Sequence, residues 1–338
     1  MSTTPTPGSP NRPADTVADE APEREREAPP ATPAPEGGVL VIGGAGFIGS
    51  HLVERLIAEG QSVDVVDDLS TGSLGNLADA RAEAGRLASS ELRIHTLDAT
   101  GDDLAALIAM RRPREIYHLA LLARSSASAV ALGRSFTSML GVLDAARRSG
   151  VTKVVATLPA TSMYGYPSGR ELPVREGTLQ PRGVRGVVAK AIVDLLSAYR
   201  EGWGIEFTAL APATVYGPRQ RPDAAVLPAM IAAAGDGRSP RVTGDGRQTR
   251  DFLYVDDRVD ALVRSGRRGS GLVVNVGTGV QTSLRDLWTL VAPEAPPPTF
   301  VAPRPDELAR FAVSPVRARI HLAWSPWTTL DEGIAALR

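Results

Sequence analysis

Three glycines follow a short apolar segment and give this chain a place where the backbone can bind a phosphate. Gly43, Gly46 and Gly49 come directly after Val39 to Ile42, four apolar residues typical of a buried parallel strand. Apolar residues then recur at helical spacing, so the pattern predicts a strand that turns tightly into a helix. Such a turn directs free N–H groups and the positive end of the helix dipole at one point, which suits a pyrophosphate.

An acidic residue closes the next apolar segment. Residues 62–66 read as a second strand, and Asp67 follows it 18 residues after Gly49. A carboxylate at this place can accept hydrogen bonds from the ribose hydroxyls of NAD, and it repels the additional phosphate of NADP. Together with the glycines, Asp67 therefore predicts an NAD-binding site.

A regular alternation of strands and helices is expected to position these residues. Further strands are predicted at 92–97, 115–120, 153–157 and 205–210, and helices at 102–109, 126–148 and 184–196. This order is typical of parallel βαβ units and predicts an α/β fold with a Rossmann-type doubly wound parallel sheet. Ligands bind such sheets at the carboxyl ends of the strands. Asp67, Asp98, Leu119 and Ala120 stand at those ends.

The composition excludes several other functional classes. The chain has 338 residues, no cysteine and a net charge of −1. The absence of cysteine excludes disulfides and thiolate sites and is compatible with the cytoplasm, where we expect the protein. No apolar segment approaches the length that spans a membrane, and the charge is too small to indicate nucleic-acid binding. The four histidines lack metal-ligand spacing, so we expect no metal site.

The two ends of the chain differ from its centre. Residues 1–36 are rich in proline and acids and poor in large apolar side chains, which predicts a disordered tail. We expect a cofactor domain over 37–211 and, over 212–338, a smaller lobe that faces the cofactor cleft and is interleaved with it. Arg219, Arg250 and Arg304 of this lobe could hold a second diphosphate, since a guanidinium binds phosphate oxygens in bidentate fashion.

From residue 38 to 338 the sequence resembles the extended short-chain dehydrogenase/reductase family, in particular its nucleotide-sugar epimerases, dehydratases and decarboxylases. The motifs that carry the resemblance are Gly43-Gly-Ala-Gly-Phe-Ile-Gly49, Asp67-Asp-Leu-Ser-Thr-Gly72, His118-Leu-Ala120, Val215-Tyr-Gly-Pro-Arg-Gln220, Gly244-Asp-Gly-Arg-Gln-Thr-Arg-Asp-Phe252, Asn275-Val-Gly-Thr-Gly279 and Leu322-Ala-Trp-Ser-Pro326. The Asp-Leu-Ser-Thr-Gly loop is similar to the UDP-sugar 4-epimerase branch.

The resemblance implies NAD in the first lobe and a nucleoside diphosphate sugar in the second. It also implies a homodimer through two long helices, or a heterodimer with an active homologue. The residues then expected around NAD are Gly43, Gly46, Phe47, Ile48, Gly49, Asp67, Asp68, Leu69, Ser70, Thr71, Gly72, Asp98, Ala99, Leu119, Ala120 and Lys190. Those expected around the substrate are Thr214, Arg219, Arg250 and Arg304.

The catalytic residues depart from the family pattern. Such enzymes oxidise a sugar hydroxyl with a Tyr-x-x-x-Lys pair, in which the lysine lowers the pKa of the phenol, and with a nearby Ser or Thr. Here Lys190 is present, but Gly186 stands at the tyrosine position. Ala160, preceded by Pro159, stands where the Ser or Thr is expected. We therefore expect a hole at Gly186, where the phenol would lie.

Three functions remain compatible with this pattern. The protein is an epimerase-like enzyme with a substituted acid/base drawn from Lys190, Thr161, Ser162 and Tyr164, or it binds NAD and a nucleotide sugar without turnover as a regulator or partner subunit. A non-redox reaction in the same cleft is the third. Epimerase ancestry fits best because Thr161 and Ser162 stand where dehydratases carry an Asp-Glu pair.

Overall fold

The structure is a computed structural model that describes residues 37–87, 90–122, 128–177, 179–304 and 307–338. The predicted disordered tail, residues 1–36, lies outside this part of the chain, as do the first two residues of the helix predicted at 126–148. Residues from Gly37 onward belong to one compact unit.

The strands, in chain order, are β1 (Gly37–Ile42), β2 (Val63–Asp67), β3 (Leu92–Thr96), β4 (Pro113–His118), β5 (Lys153–Thr157), β6 (Glu206–Pro212), β7 (Thr214–Tyr216), β8 (Arg241–Thr243), β9 (Thr249–Arg250), β10 (Phe252–Tyr254), β11 (Leu272–Val276), β12 (Thr282–Ser283) and β13 (Thr299–Val301). Seven of them form a parallel sheet in the order β11-β6-β5-β4-β1-β2-β3. The predicted α/β fold is therefore confirmed.

The helices are α1 (Phe47–Ala58), α2 (Ala78–Arg86), α3 (Asp102–Arg111), α4 (Ala129–Ser149), α5 (Ala160–Met163), α6 (Gly183–Trp203), α7 (Val226–Gly235), α8 (Val255–Arg267), α9 (Leu284–Val291), α10 (Val316–Leu322) and α11 (Leu330–Ala335). Helices α4 and α6 pack against each other, and α8 packs against α1, β5 and β6. None of the described helices is long and apolar enough to cross a membrane. The expected cytoplasmic location stays a prediction.

Burial explains why the strands were readable from the sequence. The side chains of β1 from Val39 to Ile42 are almost completely buried, as are Val63, Val65 and Val66 of β2. A strand covered by helices on both faces of the sheet reads as a continuous apolar segment. Strand β4 ends at His118, two residues before the predicted end, so Leu119 and Ala120 follow the strand at its carboxyl end.

The second half of the chain contributes to two hydrophobic clusters. One is the main core, which β11 and α8 rejoin; the other contains Tyr216, Leu227, Phe252, Leu287 and Trp288 among its buried members. The return of β11 to the main sheet interleaves the two halves. The proposed division at residues 211 and 212 stays a prediction.

Candidate cofactor and substrate site

The glycine-rich turn leaves no space for side chains at two of its positions. Gly43 has φ +82°, a left-handed conformation that L side chains rarely adopt, and a Cβ on Gly49 would lie 2.0 Å from the carbonyl oxygen of Gly43. The turn leads into α1, whose N-cap is Gly46. Among the described residues, no side chain caps this helix end. The first N–H groups of α1 are thus directed at the carboxyl edge of the sheet, where an anionic group would be stabilised.

Asp67 is built into the same turn. Its Oδ2 accepts a hydrogen bond of 2.9 Å from the Ala45 N–H, and its Oδ1 accepts one of 2.9 Å from the Leu69 N–H. Burial raises the pKa of this carboxyl, while these backbone donors oppose the rise. The side chain of Asn76 donates to the Ala45 carbonyl at 2.9 Å. Asp67 therefore fixes the glycine-rich turn relative to the loop that follows β2.

A cavity of about 1000 Å³ opens at this edge of the sheet. Of the residues expected around NAD, thirteen line it: Gly43, Gly46, Phe47, Ile48, Gly49, Asp67, Asp68, Ser70, Thr71, Asp98, Ala99, Leu119 and Ala120. Leu69 and Gly72 do not line it, but they support Asp67 and Ala45 from behind. Lys190 is the third expected residue that is not among its lining residues.

The cavity also has lining residues that were not among those expected around NAD, including Ser73, Asn76, Arg134, Ser138, Thr157 and Gln220. Arg134 of α4 pairs with Asp98 at 2.6 Å, and Ser138 lies 2.7 Å from Nε2 of the buried His118. Burial lowers the pKa of His118 to about 3, so this imidazole is neutral. Long-range packing brings Arg134 and Ser138 of α4 to the cavity, and no local pattern in the sequence marks these two residues.

Gly186 does not leave a hole, and that expectation is wrong. A Cβ at this position would lie 2.2 Å from the carbonyl oxygen of Ser162 and 3.1 Å from the backbone of Pro181. The same carbonyl accepts a hydrogen bond of 2.8 Å from the Arg182 N–H. The backbone of the loop before α6 is therefore docked on the end of α5, in the space that a side chain would need.

The four residues considered as acid/base groups are not brought together around the large cavity. Tyr164 is 6% exposed, and its hydroxyl donates a 2.7 Å hydrogen bond to Oδ1 of Asn275. Burial raises the pKa of this phenol above its usual value. The side chain of Lys190 is 44% exposed and pairs with Asp194 at 2.6 Å. Thr161 and Ser162 are half-buried in α5.

The four residues expected around the substrate occupy different places. Arg219 lines the large cavity and binds α1 through Ser50 at 3.2 Å and Glu54 at 2.6 Å. Arg250 donates to the Leu308 carbonyl at 2.8 Å, and Arg304 is exposed. Thr214 begins β7, where its N–H donates to the Asp251 carbonyl at 2.9 Å.

A second cavity of about 660 Å³ lies beside Tyr164. Thr278 and Gly279 line it together with three arginines, Arg170, Arg175 and Arg319, and one acid, Glu171, so the net charge of its lining is positive. The Asp251 carboxylate holds its floor, because it accepts hydrogen bonds of 3.0 Å from the N–H groups of both Thr278 and Gly279. In the described ranges, no group of three His, Asp or Glu residues has the geometry of a metal site.

Three side chains in or beside the large cavity have buried polar atoms without a hydrogen-bond partner among the described residues. They are Nδ1 of His118, Oε1 of Gln220, and Nε and Nη1 of Arg258. Such atoms are rare in folded proteins and concentrate where a ligand or water completes the site. With the uncapped α1 terminus and the carboxylate at Asp67, they make the cavity suitable for a polar dinucleotide.

Comparison with known proteins agrees with this geometry. The family model described as "NAD dependent epimerase/dehydratase family" matches residues 39–277. The UDP-glucose 4-epimerase of Mycolicibacterium smegmatis is 40% identical over 313 residues, covering 88% of this chain and 96% of that protein. A putative UDP-glucose 4-epimerase of Methanocaldococcus jannaschii is 31% identical over 309 residues, covering 88% of this chain and 95% of that protein.

Solved structures are similar over the same extent. The UDP-glucose 4-epimerase of Thermotoga maritima with UDP-glucose gives a TM-score of 0.81 at 29% identity, covering 88% of this chain and 96% of that one. The UDP-glucose 4-epimerase of Thermus thermophilus in complex with NAD gives 0.76 at 29% identity, with the same coverage. The predicted cofactor, NAD, is thereby confirmed as that of the family. The chain belongs to the NAD-dependent epimerase/dehydratase family.

Proposed function

We propose that this protein is an NAD-dependent nucleotide-sugar enzyme of the epimerase type that uses a substituted acid/base. The observation that carries the proposal is the cavity at the carboxyl edge of the sheet, which brings together the glycine turn, Asp67 and the uncapped α1 terminus. The relatives named as UDP-glucose 4-epimerases support a nucleotide sugar as the substrate. The proposed substrate is therefore defined as a class, the nucleotide sugars.

Bound NAD would supply a hydride acceptor for a sugar C–H bond and a donor for its return. The chain would hold the pyrophosphate on the N–H groups at Phe47 and Ile48 and the adenosine ribose on Asp67. In the second lobe, Thr214, Arg250 and Arg304 would bind the nucleotide sugar. Arg219, which lines the large cavity, would contact the nucleotide sugar from the side of the cofactor. Removal of the hydroxyl proton then needs a group other than a tyrosine at position 186.

Lys190, Thr161 and Ser162 are the proposed substitutes, with Tyr164 as the fourth candidate. Lys190 would have to exchange its bond with Asp194 for one with the substrate. An exposed ion pair of this kind contributes about 0.3–0.5 kcal/mol, so the exchange costs little. Tyr164 is less available, since its hydroxyl is bonded to Asn275 inside the protein.

Substituting Lys190 tests the enzyme proposal. Lys190→Ala should lower turnover of a nucleotide sugar about 10²–10⁴-fold, the usual effect of losing a positioned acid or base. Asp194→Ala is the matched control, because it removes the same ion pair and leaves the amine in place. Equal turnover in Lys190→Ala and the wild type would contradict a catalytic role for this lysine.

A second candidate function is binding without turnover, and the closed backbone at Gly186 favours it. The protein would then hold NAD and a nucleotide sugar and act on a partner, such as an active homologue. Calorimetry measures binding of NAD and the nucleotide sugar, and a turnover assay measures any change in the sugar. The two measurements together distinguish the enzyme from the binding protein. Binding of both ligands with no change in the sugar supports the second candidate, and binding of neither contradicts both.

We also propose a homodimer through α4 and α6. Both helices carry exposed apolar side chains, including Val130 and Leu140 on α4 and Val184 and Val187 on α6. Light scattering should give the mass of a dimer, and Val187→Glu should shift it toward a monomer. A monomeric wild type at micromolar concentration would contradict this part of the proposal.

A further inference from the structure

Arg258 is a fully buried arginine that lacks the partners a buried charge normally has. Its relative exposure is 0%, and its one hydrogen bond in the described part of the chain runs from Nη2 to Oγ1 of Thr157, at 2.7 Å. Nε and Nη1 have no described acceptor, and no described carboxylate forms an ion pair with it. A buried charge without compensation costs several kcal/mol, so the residue is not explained by stability.

Thr157 connects this charge to the cofactor cavity. It is the last residue of β5 and lines the cavity, whereas Arg258 lies behind it on α8. Because the hydroxyl oxygen accepts from Arg258, its own proton is free to be donated toward the cavity. No other described hydrogen bond uses the Thr157 hydroxyl.

The order of strands fixes which half of a dinucleotide would lie at Thr157. The cavity runs along the carboxyl edge of the sheet past Asp98, Asp67, Gly43, Leu119 and Thr157, which stand at the carboxyl ends of β3, β2, β1, β4 and β5. The pyrophosphate site is at Gly43 and the start of α1, and the adenosine ribose site is at Asp67. The remaining half, which carries the nicotinamide, therefore extends toward β5.

We infer that Arg258 is an electrostatic positioning residue that favours the reduced over the oxidised nicotinamide in this cavity. The oxidised ring carries one positive charge and the reduced ring carries none, so a buried cation behind Thr157 disfavours only the oxidised form. This inference rests on the cofactor assignment of the proposed function and does not depend on which sugar is bound. It would make the bound oxidised cofactor a stronger hydride acceptor.

The charge state of Arg258 agrees with the inference. Burial lowers its pKa to about 9, which leaves the guanidinium protonated at pH 7. A unit charge acting over about 10 Å at an effective dielectric constant of about 20 changes an affinity ratio on the order of tenfold.

The test measures the dissociation constants of NADH and NAD for the full chain at pH 7, by fluorescence titration and by competition. The ratio of the NAD constant to the NADH constant should fall on the order of tenfold in both Arg258→Met and Arg258→Gln. Burial deprotonates a lysine more easily than an arginine, so Arg258→Lys should regain the wild-type ratio as the pH is lowered below 7. Arg267→Met removes an exposed charge from the end of the same helix and should leave the ratio unchanged.

Thermal unfolding separates this role from a structural one. Arg258→Met should keep or raise the melting temperature, because it replaces an uncompensated buried charge with an apolar side chain. An unchanged affinity ratio in the neutral variants would overturn the inference, as would the failure of both to fold. If neither cofactor form binds the wild type, the proposed function itself fails, and the two results are therefore distinguishable.

Discussion

The close approach at Gly186 predicts that a single methyl group there destabilises the protein. The Cβ in Gly186→Ala would lie 2.2 Å from the Ser162 carbonyl oxygen, and real Cβ contacts essentially never fall below 3.0 Å, so the backbone must separate by at least 0.8 Å. Overpacking of this kind costs about 1–3 kcal/mol. Weakening of the bond from the Arg182 N–H adds about 0.5–1.5 kcal/mol, while the better helix propensity of alanine returns about 1 kcal/mol.

The net expectation is a loss of about 2 kcal/mol in the free energy of unfolding, the middle of the range these terms give. Urea denaturation followed by fluorescence and circular dichroism measures it, provided that both signals give one coincident transition. With a slope of roughly 3 kcal/mol per molar urea, the midpoint should fall by roughly 0.7 M.

Gly202→Ala is the matched control because Gly202 lies in the same helix and a Cβ there meets no described atom within 4 Å. This substitution should leave the stability unchanged or raise it by up to about 1 kcal/mol. If Gly186→Ala were as stable as Gly202→Ala, the docked backbone described above would not exist. The family tyrosine would then fit at position 186, and its absence would need another explanation.

The contacts around the cavity lead to three further predictions. Asp67→Asn should weaken NAD binding about tenfold in calorimetry, because the substitution removes a charge-assisted acceptor and turns an amide toward the Ala45 N–H. The control Asp68→Asn should change the NAD affinity little. Equal losses of affinity in the two variants would contradict the assignment of Asp67 to the ribose. His118 has its pKa lowered to about 3 by burial, so between pH 6.5 and 3 the unfolded state binds more protons and stability falls as pH falls through that window. Between pH 7 and 5, the free energy of unfolding should fall by about 2 kcal/mol more in the wild type than in His118→Gln. Urea titrations at the two pH values measure this difference, and equal losses in the two proteins would refute a neutral His118. Tyr164→Phe should lower the free energy of unfolding by about 1–3 kcal/mol, since Oδ1 of the buried Asn275 loses its donor. The same substitution should leave the pH profile of turnover unchanged. A shifted profile would instead indicate that the phenol titrates in catalysis.

The glycine-rich turn and the strand ends around the large cavity could be predicted from the sequence because local rules determine them. Three local features can be recognised within a few residues of sequence: a glycine at a tight turn, an apolar strand and an acid at the end of the next strand. They correspond to Gly43, β1 and Asp67. Strand β11 was not predicted as part of the sheet, although the motif beginning at Asn275 was noted. Its place beside β6 depends on the chain returning after α8, which no local pattern encodes.

The surroundings of the acid/base candidates could not be predicted, because they depend on how segments that are distant in the sequence pack together. The residue type at position 186 can be read directly, but the distance between its Cα and the Ser162 carbonyl follows from the docking of α5 on α6. In the same way, Arg258 reads as one charge on an amphipathic helix. Its complete burial behind Thr157 emerges only from the packing of α8 against β5.

Proton NMR of the purified protein in D₂O with NAD and a panel of UDP-, dTDP- and GDP-sugars tests directly whether this protein binds and alters a nucleotide sugar. We expect line broadening for one nucleotide class, followed by new sugar signals from an altered stereocentre. At an NAD concentration below saturation, these new signals should appear more slowly in Asp67→Asn, while the broadening of the sugar signals is kept. Broadening without any change in the sugar over a long incubation would contradict turnover and favour a binding protein. The absence of broadening for every sugar and for NAD would contradict both candidate functions.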